Sequence, residues 1–189
     1  MPRIGQEPLR RAALVAATVE EIGAAGSLDV TVGQIAKRAG MSSALAHHYF
    51  GGKAQIFLAA MRQILTDYGA EVRSALASAA PDQRLEAIVR ANFAPSCFDP
   101  STIAAWLNFY VLAKSDPDAA RLLRVYQRRL TSNLVHALRG RCNDPRRVAA
   151  LLAALIDGVY LRAALDGAQI DGAAEQVLSV VYALEAHQT

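Results

Sequence analysis

Only two cysteines, Cys97 and Cys142, occur in 189 residues. They lie far apart and lack CxxC or Cys/His ligand spacing, which excludes a disulfide framework and a zinc site as organising devices. Both read as reduced thiols. Histidine is also sparse, with four: His47 and His48 are adjacent, His136 stands alone and His187 is near the end, so spacing assembles neither a nucleophile–base pair nor a metal set. An all-α enzyme built on Asp157, His136 or the cysteines is therefore disfavoured, and no catalytic residue, metal ligand or cofactor is expected. Alternating apolar and polar runs are missing too, so no strand is predicted. No run reaches the roughly 18–20 apolar residues of a membrane-spanning helix, and the N-terminus shows no apolar core followed by a small-residue cleavage site. The expectation is a cytoplasmic chain with no membrane partner. The excess of positive charge is small, +3 with a pI near 9.1, so the chain as a whole does not bind nucleic acid indiscriminately. Any DNA contact must come from locally placed cations, for which Arg3, Arg10, Arg11, Lys37, Arg38 and Lys53 are available.

What is present is a helix-turn-helix pattern over Thr31–Lys53, TVGQIAKRAGMSSALAHHYFGGK. Thr31 is placed to cap a helix, with Gln34 three residues on to complete a capping box. Ile35, Ala36 and Ala39 mark its apolar face, Gly40 closes it in the left-handed conformation, and Met41 supplies the apolar residue of the turn. Ser42 then restarts a short helix over about Ser43 to His48, whose small and polar side chains suit close approach to a major groove. Upstream, Pro8 suits the first turn of a helix carrying Ala12, Val15, Ala16, Val19 and Ile22 at helical spacing until Gly23 and Gly26 end it. Arg10 and Arg11 fall at the N-terminal end of that helix. Arg3 precedes it, either as an arm for the minor groove or as part of a solvated basic face.

After Gly51-Gly52 a long helix runs from Lys53 to about Ala77, with Ile56, Phe57, Ala60, Met61, Ile64, Leu65 and Tyr68 in one stripe. Three Asp-Pro pairs, Asp99-Pro100, Asp116-Pro117 and Asp144-Pro145, each place a capping carboxylate before a first-turn proline. They predict helices over Pro100–Lys114, Pro117–Arg139 and Pro145–Leu165, beside others over Asp82–Ala94 and from Gly172 to Ala186. The expected architecture is all-α, about nine helices, divided into a DNA-binding domain at 1–52 and a helical effector-binding and dimerisation domain at 53–189. The last two helices are apolar well beyond one stripe, through Leu151, Leu152, Leu155, Ile156, Val159 and then Val177, Leu178, Val180, Val181 and Leu184. They need burial on more than one side, in a dimer or in a thick monomeric core.

Trp106, Phe109 and Tyr110 share one face of their helix by spacings of three and four. Phe93 and Phe98 come shortly before, and Tyr160 stands near Asp157 in an apolar stretch. Such rings can enclose a quaternary ammonium cation, with Asp157 as countercharge. They can equally be core, with Asp157 hydrogen-bonded inside it.

The segment His47-His48-Tyr49-Phe50-Gly51-Gly52-Lys53 resembles the close of the recognition helix in TetR-family repressors. Over nearly the full length, through MPRIG, GQIAKRAG, HHYF, RLEAIVRANF, AAWLNFY, RRLTSNLVHALR and ALIDGVYLRAAL, the chain is similar to the BetI type of that family, choline-responsive repressors of glycine betaine synthesis and uptake genes. This resemblance implies a homodimer that joins through its last two helices, binds a palindromic double-stranded DNA operator and releases it when choline, or a related quaternary amine, is bound. It implies DNA contacts from Tyr49 and Lys53 on phosphates and from Ser42, Ser43, Ala44 and His47 near bases or the adjoining backbone; Arg3 and Thr31 complete the set of DNA-contact candidates. It shifts the balance for the rings from core toward a ligand cage, with Phe93, Trp106, Phe109, Tyr110, Asp157 and Tyr160 as the candidate ligand set. Ala46-His47, Tyr110 and the segment 94–102 depart from the family pattern, which leaves open a repressor of the same build answering another cationic or amphipathic small molecule.

Overall fold

The structure, a computed structural model, describes residues 6–166 and 172–186. Among these it is all-helical: α1 (Gln6–Ala25), α2 (Val32–Arg38), α3 (Ser43–Phe50), α4 (Lys53–Ser78), α5 (Arg84–Asn92), α6 (Pro100–Leu112), α7 (Pro117–Ala137), α8 (Pro145–Asp166) and α9 (Ala173–Ala186). Capping chemistry accounts for several starts. Gln34 N donates to Thr31 Oγ1 at 3.1 Å while Thr31 N donates to Gln34 Oε1 at 2.7 Å, the reciprocal capping box. Leu45 N donates to the Ser42 hydroxyl, Ala119 N to Asp116 and Arg147 N to Asp144. The helix expected over Asp82–Ala94 differs: Pro81–Gln83 form a single 3-10 turn and α5 proper begins at Arg84, because Pro81 opens the tighter turn with no side-chain cap behind it.

By contact the chain divides into two compact units, Met1–Ile64 with Pro100–Leu122, and Leu65–Asp99 with Leu123–Thr189. In the first, α1 packs against α2 and α6, and α2 against α3. Its core holds Leu14, Ile22, Ile35, Ala36, Ala46, Ile56, Met61 and Phe109, each of them fully buried. The buried face of α1 is Leu14, Ala17, Thr18 and Ile22, while Ala12 and Ala16 of the expected stripe are exposed. Thr18 escapes a hydropathy reading because it is polar. Its hydroxyl donates to Leu14 O at 2.7 Å, which satisfies it inside the core.

Gly23 does not end α1. The helix continues to Ala25, and Gly26, at φ +62°, makes the stop. Gly23 instead marks the crossing with α6: a Cβ there would lie 2.6 Å from Ser101 Cα, Cβ and Oγ. Asn108 Nδ2 adds a bond of 3.4 Å from α6 to Gly26 O at the end of α1.

The second unit packs α5 against α9 and α8 against α9, around Leu85, Ile88, Val89, Leu130, Leu134, Leu152, Ile156 and Val177. Glu86 on α5 accepts two bonds from Arg141, at 3.0 and 3.2 Å, and one from Tyr182 of α9 at 3.5 Å. Arg141 also donates to Asp82 O. One partly buried ion pair therefore ties three segments together.

Contrary to the sequence expectation, α8 is long and apolar enough over Pro145–Leu165 to cross a membrane by length and composition. Much of that apolarity belongs to Ala149, Leu152, Ile156 and Val159, which are packed in the core of the unit. Its outer stripe is another matter: Leu151 is 52 % exposed, Leu161 48 % and Leu165 75 %, and on α9 Val180 and Tyr182 are exposed as well.

Gly23→Ala forces α1 and α6 apart and should cost about 1–3 kcal/mol, the scale of an overpacked core. Urea unfolding of the variant checks this, and undiminished stability would mean that the two backbones do not meet there. Glu86 gives a pH signature. Partial burial pushes its carboxyl up, but the bonds from Arg141, its own backbone and Tyr182 outweigh this and hold it below the usual range. A depressed value means that the stabilisation is present above the unfolded glutamate's pKa, about 4.3, and is lost as pH falls through the folded value. Glu86→Gln should be less stable than the parent at neutral pH and show a shallower loss of stability below pH ~4.3, read from unfolding midpoints across that range.

Candidate nucleic-acid interface and effector site

The recognition helix α3 has eight residues, too few for an isolated helix to persist in water. Its position comes from outside. At its start the Ser42 hydroxyl accepts from Leu45 N and caps it. At its end Gly51, at φ +81°, donates to His47 O at 2.7 Å and stops it. His47 Nδ1 meets Gly51 O at 3.3 Å, and since a carbonyl only accepts, Nδ1 carries the hydrogen there.

Two arginines from the first turns of α1 secure the same end. Arg11 donates to Tyr49 O, lies 4.4 Å over the Phe50 ring and is 3.9 Å from Glu7. Arg10 donates from Nη1 to Tyr49 Oη at 3.4 Å and from Nη2 to Gln6 Oε1 at 3.0 Å. Sequence reasoning placed these cations near the groove but missed that they position α3; only the fold brings residues 38 and 39 apart in the chain together. Lys53 opens α4, exposed, with Nζ 5.4 Å from the Phe57 ring.

Of the residues expected at DNA, Ser42, Ser43, Ala44 and His47 are exposed along α3, and Thr31 is exposed beside them. Ala46 is fully buried and belongs to the core. Tyr49 is partly exposed and receives Arg10 on its hydroxyl. Thr31 spends its hydroxyl on the capping box, accepting from Gln34 N and facing Gln34 Oε1 at 2.8 Å. Arg38, counted above among the local cations, is bound to Glu21 at 2.5 Å and Glu20 at 3.3 Å on α1. It joins α2 to α1. Arg3 lies outside the described residues.

The six ligand candidates fall into two sets. Trp106, Phe109 and Tyr110 are in the first unit, where Phe109 is fully buried as core and Trp106 meets Tyr110 edge to face at 5.5 Å. Phe93, Asp157 and Tyr160 are in the second. There Phe93 stacks on Tyr160 at 5.7 Å, and Phe98 stands edge-on to both, at 5.5 and 5.1 Å. Phe93 and Phe98 are partly exposed, so the cluster has an open edge, whereas Tyr160 is buried. Tyr160 Oη donates to Asn92 O. Asn92 is one of the two buried polar residues among those described, its amide nitrogen donating to Ile88 O at 2.8 Å.

Two residues of this neighbourhood were not anticipated as ligand groups. Tyr68 of α4 packs edge-on against Tyr126 of α7 at 5.3 Å, lining a cleft of about 350 Å3 with Leu65, Val72, Val125, Arg73 and Arg129. Burial pushes its phenol well up; the Asn92 side chain opposes this, and the charges of Cys97 and Asp157 add to it. Asn92 carried no ligand signal in the sequence, because one asparagine at a helix end reads as a stop. Cys97 is buried and its thiol is pushed up by that burial, with Glu71 and Asp67 adding to the shift against the Ser96 bond, which keeps it a thiol at neutral pH.

Residues 14–60 match the profile of bacterial regulatory proteins of the tetR family, and residues 81–184 that of the BetI-type transcriptional repressor C-terminal domain. The chain is 50 % identical over 186 residues to the HTH-type transcriptional regulator BetI of Brucella suis, covering 95 % of this chain and 92 % of that protein. It is 49 % identical to BetI of Agrobacterium fabrum, covering 90 % and 84 %. Among solved structures, a transcriptional regulator from Pseudomonas aeruginosa PAO1 is similar at a TM-score of 0.82 with 26 % identity, covering 97 % of this chain and 93 % of that one. A regulator from Saccharomonospora viridis in complex with choline has the same fold at a TM-score of 0.77 with 20 % identity, covering 91 % and 95 %.

Lys53 is an exposed point charge at the N-terminus of α4, so Lys53→Ala should weaken binding to specific and non-specific duplexes by the same factor. It should also reduce the slope of log affinity against log salt by about one. Fluorescence anisotropy over a salt series measures both, and an unchanged affinity would remove Lys53 from the phosphate-binding set.

Proposed function

We propose, proceeding from the fact that the chain belongs to the BetI type of the TetR family of transcriptional repressors, that it represses genes for choline uptake or for its conversion to glycine betaine and leaves its operator when choline binds. The division of labour follows the chain. Residues 1–52 read DNA through Ser42, Ser43, Ala44 and His47 at bases and Tyr49 and Lys53 at phosphates, and residues 53–189 hold the effector and dimerise. The exposed apolar stripe of Leu151, Leu161, Leu165, Val180 and Tyr182 supports pairing of α8 and α9 with a twin. A two-fold dimer then sets its recognition helices one helical turn apart, ~34–36 Å, for a near-palindromic site in the cytoplasm.

The observation that carries the choline reading is the ring cluster of Phe93, Phe98 and Tyr160 with an open edge, in a chain half identical to BetI proteins. Electron-rich ring faces attract a trimethylammonium group, and Asp157 supplies an opposite charge in the same unit. Binding there shifts α4 and changes the separation of the recognition helices. An effector does this only by the difference between its affinities for the two states, and ~100-fold release requires about 2.7 kcal/mol of coupling. A second reading, an amphipathic anion, has one observation in its favour: Arg73 and Arg129 stand at the cleft lined by Leu65, Val72 and Val125.

Calorimetric titration with choline and with glycine betaine separates these readings. Saturable choline binding, weaker for betaine because its carboxylate meets Asp157, together with a ~100-fold drop in operator affinity, is the expected result. No binding of choline would end the choline reading and leave the cleft as the place to look.

A further inference from the structure

We propose that the Tyr68 hydroxyl is the hydrogen-bond donor to the effector's oxygen and thereby sets which quaternary amines this repressor answers. The inference rests on the choline reading above and names the group that recognises the ligand's polar end.

Tyr68 Oη is buried and makes no hydrogen bond. Buried hydroxyls are nearly always paired, because taking one out of water without a partner forfeits its hydration for nothing. The Asn92 side chain acts on the phenol, but its amide N–H is given to Ile88 O at 2.8 Å and its side-chain oxygen does not come within hydrogen-bond reach of Tyr68 Oη. The contact falls short of a hydrogen bond. The ring of Tyr68 is fixed by the edge-on contact with Tyr126 and lines the cleft between α4 and α7, so the hydroxyl is held in one place rather than free to seek solvent.

Its surroundings match the two ends of choline. The Asn92 backbone carbonyl accepts from the hydroxyl of Tyr160, a member of the ring cluster that suits the trimethylammonium head. The Asn92 side chain and the charge of Asp157 both act on Tyr68. Burial keeps the phenol protonated across the physiological range, which makes it a donor, and the oxygen of choline is an acceptor. A hydrophobic pocket tells a ligand from its deoxy analogue poorly, whereas a buried donor left unpaired by the analogue tells them apart well.

The test uses the full-length protein and its Tyr68→Phe variant, each titrated calorimetrically with choline and with ethyltrimethylammonium, which is choline without its hydroxyl oxygen. The parent should bind choline about tenfold more tightly, equivalent to ~1.4 kcal/mol. Tyr68→Phe should bind the two equally, with its affinity for ethyltrimethylammonium unchanged. Because the lost hydroxyl has no partner, the ligand-free variant should melt no lower than the parent, which separates a recognition role from a structural one. A preference for choline that survives in Tyr68→Phe overturns the assignment, as does equal binding of both compounds by the parent, which leaves the choline reading standing. Failure of the parent to bind either compound overturns both.

Discussion

An eight-residue helix has no more than one or two full turns of its own hydrogen bonds to set against the cost of ordering it, and this constraint governs the DNA-reading half of the molecule. The helix that carries Ser43, Ala44 and His47 is fixed by Ser42 at its head, Gly51 at its foot, and Arg11 across Tyr49 O and the Phe50 ring. These last contacts make α1 more than a brace. It is half of the recognition helix's support, and its own rigidity depends on Leu14, Thr18 and Ile22 being packed.

The second unit solves a different problem, how to keep polar groups inside an apolar bundle. Glu86 and Arg141 answer by pairing fully, with Tyr182 and the Asp82 carbonyl taking up remaining capacity. Asn92 does so locally through Ile88 and Tyr160. Tyr68 alone of the tyrosines around Asn92 is left with an orphan oxygen.

The sequence was most legible where the signal is local. Thr31 with Gln34, Ser42, Gly40, and the Asp-Pro pairs at Asp116 and Asp144 act within three or four residues, and the structure shows them acting as read. What was hidden depends on contacts between distant segments. Gly23 reads as a helix stop because glycine usually is one, and only the approach of Ser101 reveals a crossing instead. Arg38 reads as a free cation until Glu20 and Glu21 are seen beside it. For the effector site the rings were visible as a composition, but their division between Trp106 with Tyr110 and Phe93 with Phe98 and Tyr160 was not. Nothing in the order of residues sets a tyrosine on α4 beside an asparagine on α5.

The crossing at Gly23 bears on how the first unit moves. Where two helices meet through long side chains, a small displacement of one is absorbed by rotamer changes at the seam. At Gly23 there is no side chain to yield, and the neighbouring atoms on α6 include the backbone of Ser101 itself. Such a joint has no slack. If α6, which carries Trp106 and Tyr110, slides or tilts, α1 must follow or the contact must open, and Arg10 and Arg11 then carry the displacement directly to the foot of the recognition helix.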